Sequence, residues 1–255
     1  MKKMKRLVFK VGTATLYENG KLSPRMDEIV KLLSKLNEKY EILLVSSGAV
    51  GAGYTRCPLD KLALENKQAL AAIGQPLLMK EYKDRFHKYD VTVAQVLLTA
   101  ADFDSRKRTE NARKMINVLL KNKVIPIINE NDSVSVEEIL FGDNDQLSAY
   151  VTYYFDADML FILSDIDAFY TDNPKTNKEA QPLKVVTEIK DEWLKQECNP
   201  NDKFATGGIV TKLKAAKFLM ERGKSMFLSS GFNLEDVKSF INGEHKGGTL
   251  FKSEK

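Results

Sequence analysis

The sequence predicts an α/β fold in which an open, mainly parallel sheet lies sandwiched between helix layers. Short apolar runs of Val, Ile, Leu and Phe recur along the chain, and amphipathic stretches separate them. The runs are near-continuous rather than alternating, as expected of strands covered on both faces. Strand, helix and strand in succession imply right-handed crossovers between parallel neighbours.

Taken in order, the predicted strands are Arg6 to Val11, Ile42 to Ser46, Val91 to Leu98, Val124 to Ile128, Asp158 to Leu163 and Met226 to Ser229. Helical periodicity covers Pro24 to Tyr40, Lys61 to Lys88 with a break at the "GQP" of 74–76, Ser105 to Lys121, Asn144 to Phe155 and Gly208 to Arg222. The break is expected because proline removes a backbone donor and clashes with the preceding turn. The acidic segment from Thr171 to Asn201 reads as a loop-rich excursion, and residues 1–255 form one domain.

Composition narrows the function. Hydrophobic residues are 43% and charged residues 29% of the 255, the profile of a folded globular chain. No apolar run approaches the roughly 20 residues of a membrane helix. The opening "MKKMKRLVFKVGT" turns polar too soon for a secretory signal, so a cytoplasmic protein is expected. Cys57 and Cys198 stand apart without the spacing of a disulfide framework or a zinc site, and no metal ligands are expected from the protein. A net charge of +4 and scattered lysines make nucleic acid a weak partner.

In an open α/β sheet ligands bind beyond the carboxyl ends of the strands, so polar residues there are informative. Lys10 interrupts the first apolar strand, where a charge is costly unless paired or solvated. In "LLVSSGAVGAG" the residues Ser46, Ser47, Gly48, Gly51 and Gly53 join a strand to a helix, a place where backbone amides can face an anion. "VIPIINENDSV" puts Asn129, Glu130, Asn131 and Asp132 at a strand tip, where they suit an ammonium ligand. "FGDNDQLSAYV" packs Asp143, Asn144 and Asp145 before an apolar helix; a helix cap accounts for only one of the three. "LFILSDIDAFYTDNP" runs from a strand into Ser164, Asp165, Asp167 and Tyr170. In "KFATGGIVTKLKAA", Thr206, Gly207 and Gly208 precede a helix that carries Lys212, an arrangement suited to phosphate.

Other chemistries lack a foothold. "GKS" at 223–225 lacks the earlier glycine of a P-loop, and glycines 48, 51 and 53 reverse the order of the dinucleotide fingerprint. There is no HExxH, CxxC or GxSxG. His87 and His245 lie outside every polar cluster, so an enzyme here works without a histidine base. Phosphoryl transfer to a carboxylate fits that condition, because its acceptor is ionised at neutral pH and catalysis rests on positioning and charge neutralisation.

Taken together and in order, "KVGT", "SSGAVGAG", "NENDSV", "GDNDQLSA", "YTDNP" and "TGGIVTKLKAA" resemble the amino acid kinase family over almost the whole chain. The resemblance implies that family's fold and an ATP-dependent kinase whose acceptor, from the "NEND" and "GDND" segments, is the γ-carboxylate of free L-glutamate. It implies that Lys10 and Lys212 contact the transferred phosphoryl group and that Asp145 orients them. Ser47, Gly48, Asp132 and Asn144 would hold the amino acid. Gly12, Ser164, Asp165, Tyr170, Thr206, Gly207, Gly208 and Lys212 would border ATP, with Mg²⁺ carried by the nucleotide. The amino acid is expected over roughly residues 1–155 and the nucleotide over roughly 156–255. A homo-oligomer, proline as a feedback inhibitor and a short form without a C-terminal RNA-modifying-type domain are further implications. Aspartate, acetylglutamate, carbamate and UMP kinases are the rivals within the fold, and a non-catalytic amino-acid sensor is the rival outside it.

Overall fold

The computed structural model describes residues 5–18, 21–134, 144–174, 176–195 and 208–254. The first strand, β1 (Arg6–Val11), lies at the centre of an eight-stranded sheet. The other strands are β4 (Glu41–Ser46), β5 (Val93–Leu98), β6 (Ile125–Glu130), β7 (Met159–Ser164), β8 (Val185–Val186), β9 (Ser225–Ser230) and β10 (Thr249–Phe251), in the order β5-β6-β4-β1-β7-β9-β10-β8. A separate two-residue hairpin, β2 (Tyr17–Glu18) with β3 (Lys21–Leu22), follows β1 and a short helix α1 (Thr13–Leu16). Every pairing in the large sheet is parallel except β9 with β10.

Alternation along β1 sorts its residues onto two cores, because successive strand side chains point to opposite faces. Leu7, Phe9 and Val11 pack with Ile29 of α2 (Arg25–Asn37), Leu78 and Tyr82 of α4 (Leu64–His87) and Val237 of α10 (Glu235–Ile241). Val8 packs on the other face with Ile116 of α6 (Arg106–Lys121), Leu147 of α7 (Asn144–Tyr154) and Leu213 of α9 (Ile209–Met220). Lys10 shares the Val8 face and therefore points at α7 and α9. Two small helices, α3 (Ala49–Tyr54) and α5 (Ala100–Asp104), start just beyond the ends of β4 and β5, and α8 (Asp191–Leu194) lies in the excursion before α9.

The expected break at "GQP" is absent: α4 runs unbroken from Leu64 to His87 with Pro76 inside it. The glycine has a packing role instead. A Cβ on Gly74 would stand 1.7 Å from the Ala49 carbonyl oxygen, and one on Gly53 would stand 2.0 Å from that of Leu70. Residues without Cβ let α3 and α4 cross in backbone contact. Elsewhere the six expected strands appear, β1 with the expected bounds and the others with ends moved by at most two residues. The consequential shift is β6, which continues to Glu130, so Asn129 and Glu130 are buried strand residues rather than a solvated loop start. The 171–201 excursion contains β8, which joins the sheet edge through β10; its residues 175 and 196–201 lie outside the described residues. Strands β8 and β10 and helix α10 have no counterpart in the sequence reading, being too short for periodicity to register.

Candidate active site

The strand order places β4 and β7 on either side of β1, while the chain returns from β6 through α7 to reach β7. This reversal of winding opens a crevice at the carboxyl end of β1, where an open sheet receives ligands. Lys10 pairs in register with Val45 and Ile162 and is 3% exposed. Its Nζ lies 2.6 Å from Asp145 Oδ1, and Lys212 Nζ lies 3.1 Å from Asp145 Oδ2. All three side chains are buried, so one carboxylate in the first turn of α7 ties a lysine of the central strand to a lysine of α9. Buried charges persist where geometry pairs them, because a lone one is costly. Thr211 Oγ1, 3.0 Å from Asp145 Oδ2 and 2.7 Å from the Gly208 carbonyl, anchors the start of α9 to the same carboxylate.

Asn144, the neighbour of Asp145, faces the β4 end. Its Nδ2 lies 3.1 Å from the Ser46 carbonyl, 3.1 Å from Ser47 Oγ and 2.7 Å from Asn129 Oδ1. Gly48 follows with φ of +109°, a left-handed conformation that only glycine adopts cheaply, and a Cβ there would also stand 2.9 Å from the Tyr17 ring. Burial, with Glu81 adding to it, pushes the Tyr17 hydroxyl up to about 12. Gly12 lies just beyond Lys10, close enough that a Cβ on it would stand 3.8 Å from Nζ.

Asp132 sits beyond the end of β6, on the wall of a cavity of about 260 Å³ that it shares with Ala49, Gln75, Pro76 and Glu130. Burial pushes its carboxyl up to about 6. On the other side of β1, Ser164 ends β7; its Oγ donates to Asp165 Oδ1 at 2.9 Å, and its carbonyl accepts from Gly231 N at 2.6 Å. Tyr170 is not joined to the lysine cluster by these contacts: its hydroxyl donates to Asp167 at 3.1 Å, and burial followed by that carboxylate pushes its pKa upward. Thr206, Gly207 and Asp143 lie outside the described residues, while Gly208 caps α9. Among the described residues, no group of three or more His, Cys, Asp or Glu side chains could hold a metal ion by itself. None of the described helices is long and apolar enough to cross a membrane.

The sequence reading assigned no role to Thr211, Gln75 or Tyr17, and it noted Asn129 only as part of a polar strand tip. Thr211 had a signal in its position one residue before Lys212. Tyr17 had none, since its place over Gly48 arises where α1 ends and β2 begins.

Residues 5–229 match the sequence profile of the amino acid kinase family. The chain belongs to that family. This kinase-family chain is 52% identical to a glutamate 5-kinase of Leishmania donovani over 99% of its own length and 97% of the relative's. It is also 52% identical to a glutamate 5-kinase of Wolinella succinogenes, over 97% of its length and 98% of the relative's. Among solved structures, carbamate kinase from Giardia lamblia bound to AMP-PNP matches the whole of both chains with a TM-score of 0.68 at 17% identity. At that identity the likeness speaks for the family's shared fold.

Proposed function

We infer that the chain is an ATP-dependent kinase that phosphorylates the γ-carboxylate of L-glutamate, giving L-glutamyl 5-phosphate and ADP, the first step of proline biosynthesis. One observation carries the chemistry: Asp145 holds two buried lysine ammoniums at the carboxyl end of the central strand. The choice of acceptor rests on two glutamate 5-kinases that are 52% identical over nearly their full lengths.

The three charges sum to +1, which suits a group whose transition state spreads negative charge over phosphoryl oxygens. A γ-carboxylate oxygen attacks the γ-phosphorus of ATP, the new O–P bond forms as the bond to the β-phosphate oxygen breaks, and ADP departs with the displaced charge. The acceptor is already ionised at neutral pH, so no base is needed. Lys10 and Lys212 would neutralise the entering and leaving oxygens, and Asp145 would hold both in place. Such prearranged charge acts most strongly in a dry site.

Ser47, Gly48, Asn144 and Asp132 surround the ends of β4 and β6, which supports an amino-acid subsite over the first 155 residues. Ser164 and Asp165 lie at the end of β7, across β1 from β4, Gly208 caps the helix that carries Lys212 and Gly12 lies beside the Lys10 ammonium, which supports a nucleotide subsite over residues 156–255. Thr206 and Gly207 belong to the same reading by their place before Gly208 in sequence; the Asp167 contact of Tyr170 leaves its role there resting on resemblance alone. Mg²⁺ would enter with ATP, in keeping with a donor set rich in lysine and amide groups, and would supply further neutralisation of the phosphates. Action in the cytoplasm, assembly as a homo-oligomer and feedback inhibition by proline complete the reading.

The test is ADP release from Mg-ATP with glutamate, aspartate, N-acetylglutamate, carbamate or UMP, with hydroxylamine present to trap an acyl phosphate. Hydroxamate with glutamate alone is the expected result. No turnover with any acceptor, beside saturable amino-acid binding, would move the reading to a sensor.

A further inference from the structure

Four side-chain amides form a chain beneath the amino-acid subsite. Asn144 Nδ2 donates to Asn129 Oδ1 at 2.7 Å, Asn129 Nδ2 donates to Gln75 Oε1 at 2.9 Å, and Gln75 Nε2 donates to Gln95 Oε1 at 3.3 Å. Side-chain amides can be placed either way round, but two backbone groups fix the sense of this chain. The Glu130 N–H, which can only donate, meets Asn129 Oδ1 at 2.9 Å. The Ser46 carbonyl, which can only accept, meets Asn144 Nδ2 at 3.1 Å. With both ends fixed, the amide of Asn129 that faces Gln75 must be its donor end, and Gln75 must present its oxygen.

The consequence falls on the other atom of Asn144. Its Oδ1 is buried and receives no hydrogen bond among the described residues. A buried acceptor with no donor is costly to leave so; an ammonium group brought by a ligand would satisfy it. Asp132, on the cavity that Gln75 also lines, supplies a second acceptor for the same kind of group.

Resting on the reading that this site binds an amino acid, we propose that Gln75 is a positioning residue for that substrate: by holding Asn129, it locks the Asn144 amide with its oxygen presented to the substrate's ammonium. Both polar atoms of Gln75 are engaged within the amide chain, so it acts through its neighbours. Its place is set from below, since Gly74 brings α4 into backbone contact with Ala49.

The test compares wild type, Gln75→Leu and Gln75→Glu in steady-state assays with glutamate and ATP varied separately. Leucine removes the acceptor and strands the Asn129 donor; glutamate keeps an acceptor oxygen, and the exposed Gln95 can turn its own amide to match. Gln75→Leu is expected to raise the glutamate KM about tenfold, with the ATP KM and kcat within about twofold of wild type, and Gln75→Glu is expected to recover most of the loss. An unchanged glutamate KM in Gln75→Leu, or parallel losses in kcat and both KM values, overturns the proposal. If Gln75→Leu fails to fold, Gln75→Met is measured in the same way; failure of both to fold assigns Gln75 to the fold and also overturns it. Absence of hydroxamate from wild type and glutamate would instead overturn the assigned reaction, so the two failures are distinguishable.

Discussion

Lys10 follows the apolar run Leu7–Phe9 near the carboxyl end of β1, and its buried ammonium meets a carboxylate at 2.6 Å. Replacing it by alanine leaves Asp145 paired with Lys212, so the fold should survive while the phosphoryl group loses a donor. A fall in kcat of about 10²- to 10³-fold, with a near wild-type melting temperature, is expected from ADP-release and thermal-melt measurements. Asp132 offers a pH signature. With its carboxyl raised to about 6, it loses its charge as pH falls through that value, two units above an ordinary aspartate. In the free enzyme kcat/KM for glutamate should therefore drop below about pH 6, and Asp132→Asn should abolish that limb. Stability runs the opposite way. The folded state binds the proton more tightly than the unfolded chain, so the contribution is full below 3.8 and lost as pH rises through about 6. Denaturant midpoints of Asp132→Asn measured across that window should vary less with pH than those of wild type.

Among the elements, α7 links the most partners, since its first turn meets β1, β4, β6 and α9 through Asn144 and Asp145. Asp145→Ala leaves two ammoniums without their shared carboxylate and should cost about 3–5 kcal/mol, read as a lowered urea midpoint at unchanged slope. The α3–α4 crossing gives a steric test with no charge involved: Gly74→Ala forces a methyl to within 1.7 Å of a carbonyl oxygen and should destabilise by about 1–3 kcal/mol. This crossing also marks where sequence reasoning stopped short. Proline is a sound reason to expect a break, yet packing against a neighbouring helix overrode it. The strands were legible because continuous apolar runs signal two-sided burial, Lys10 because a charge stands out against such a run, Asp145 because a helix cap accounts for only one of three adjacent acceptors, and Lys212 because it follows a glycine pair at a helix start. The amide chain was not: Gln75, Asn129 and Asn144 lie 54 and 15 residues apart in sequence, and nothing local marks two amides that will meet.

Across the whole molecule, the large sheet is parallel among the described strands except where β10 runs against β9, next to the edge strand β8. Thr249 of β10 accepts from the Phe169 amide at 2.8 Å and donates to the Leu183 carbonyl at 2.7 Å, fastening the excursion after β7 to the sheet. Thr249→Val should lower the melting temperature and speed amide exchange across residues 169–186 ahead of the remaining sheet, because each stranded backbone group costs about 1–3 kcal/mol. The central place of β1 has a further consequence during synthesis. Its first neighbour, β4, ends at Ser46, whereas its second, β7, begins only at Met159. At roughly 5–20 residues per second, the ribosome needs roughly 6 to 23 seconds to reach that second partner. For that interval one edge of a strongly apolar strand waits unpaired on the nascent chain, so slow codons between the two strands should raise the aggregated fraction without altering a single residue.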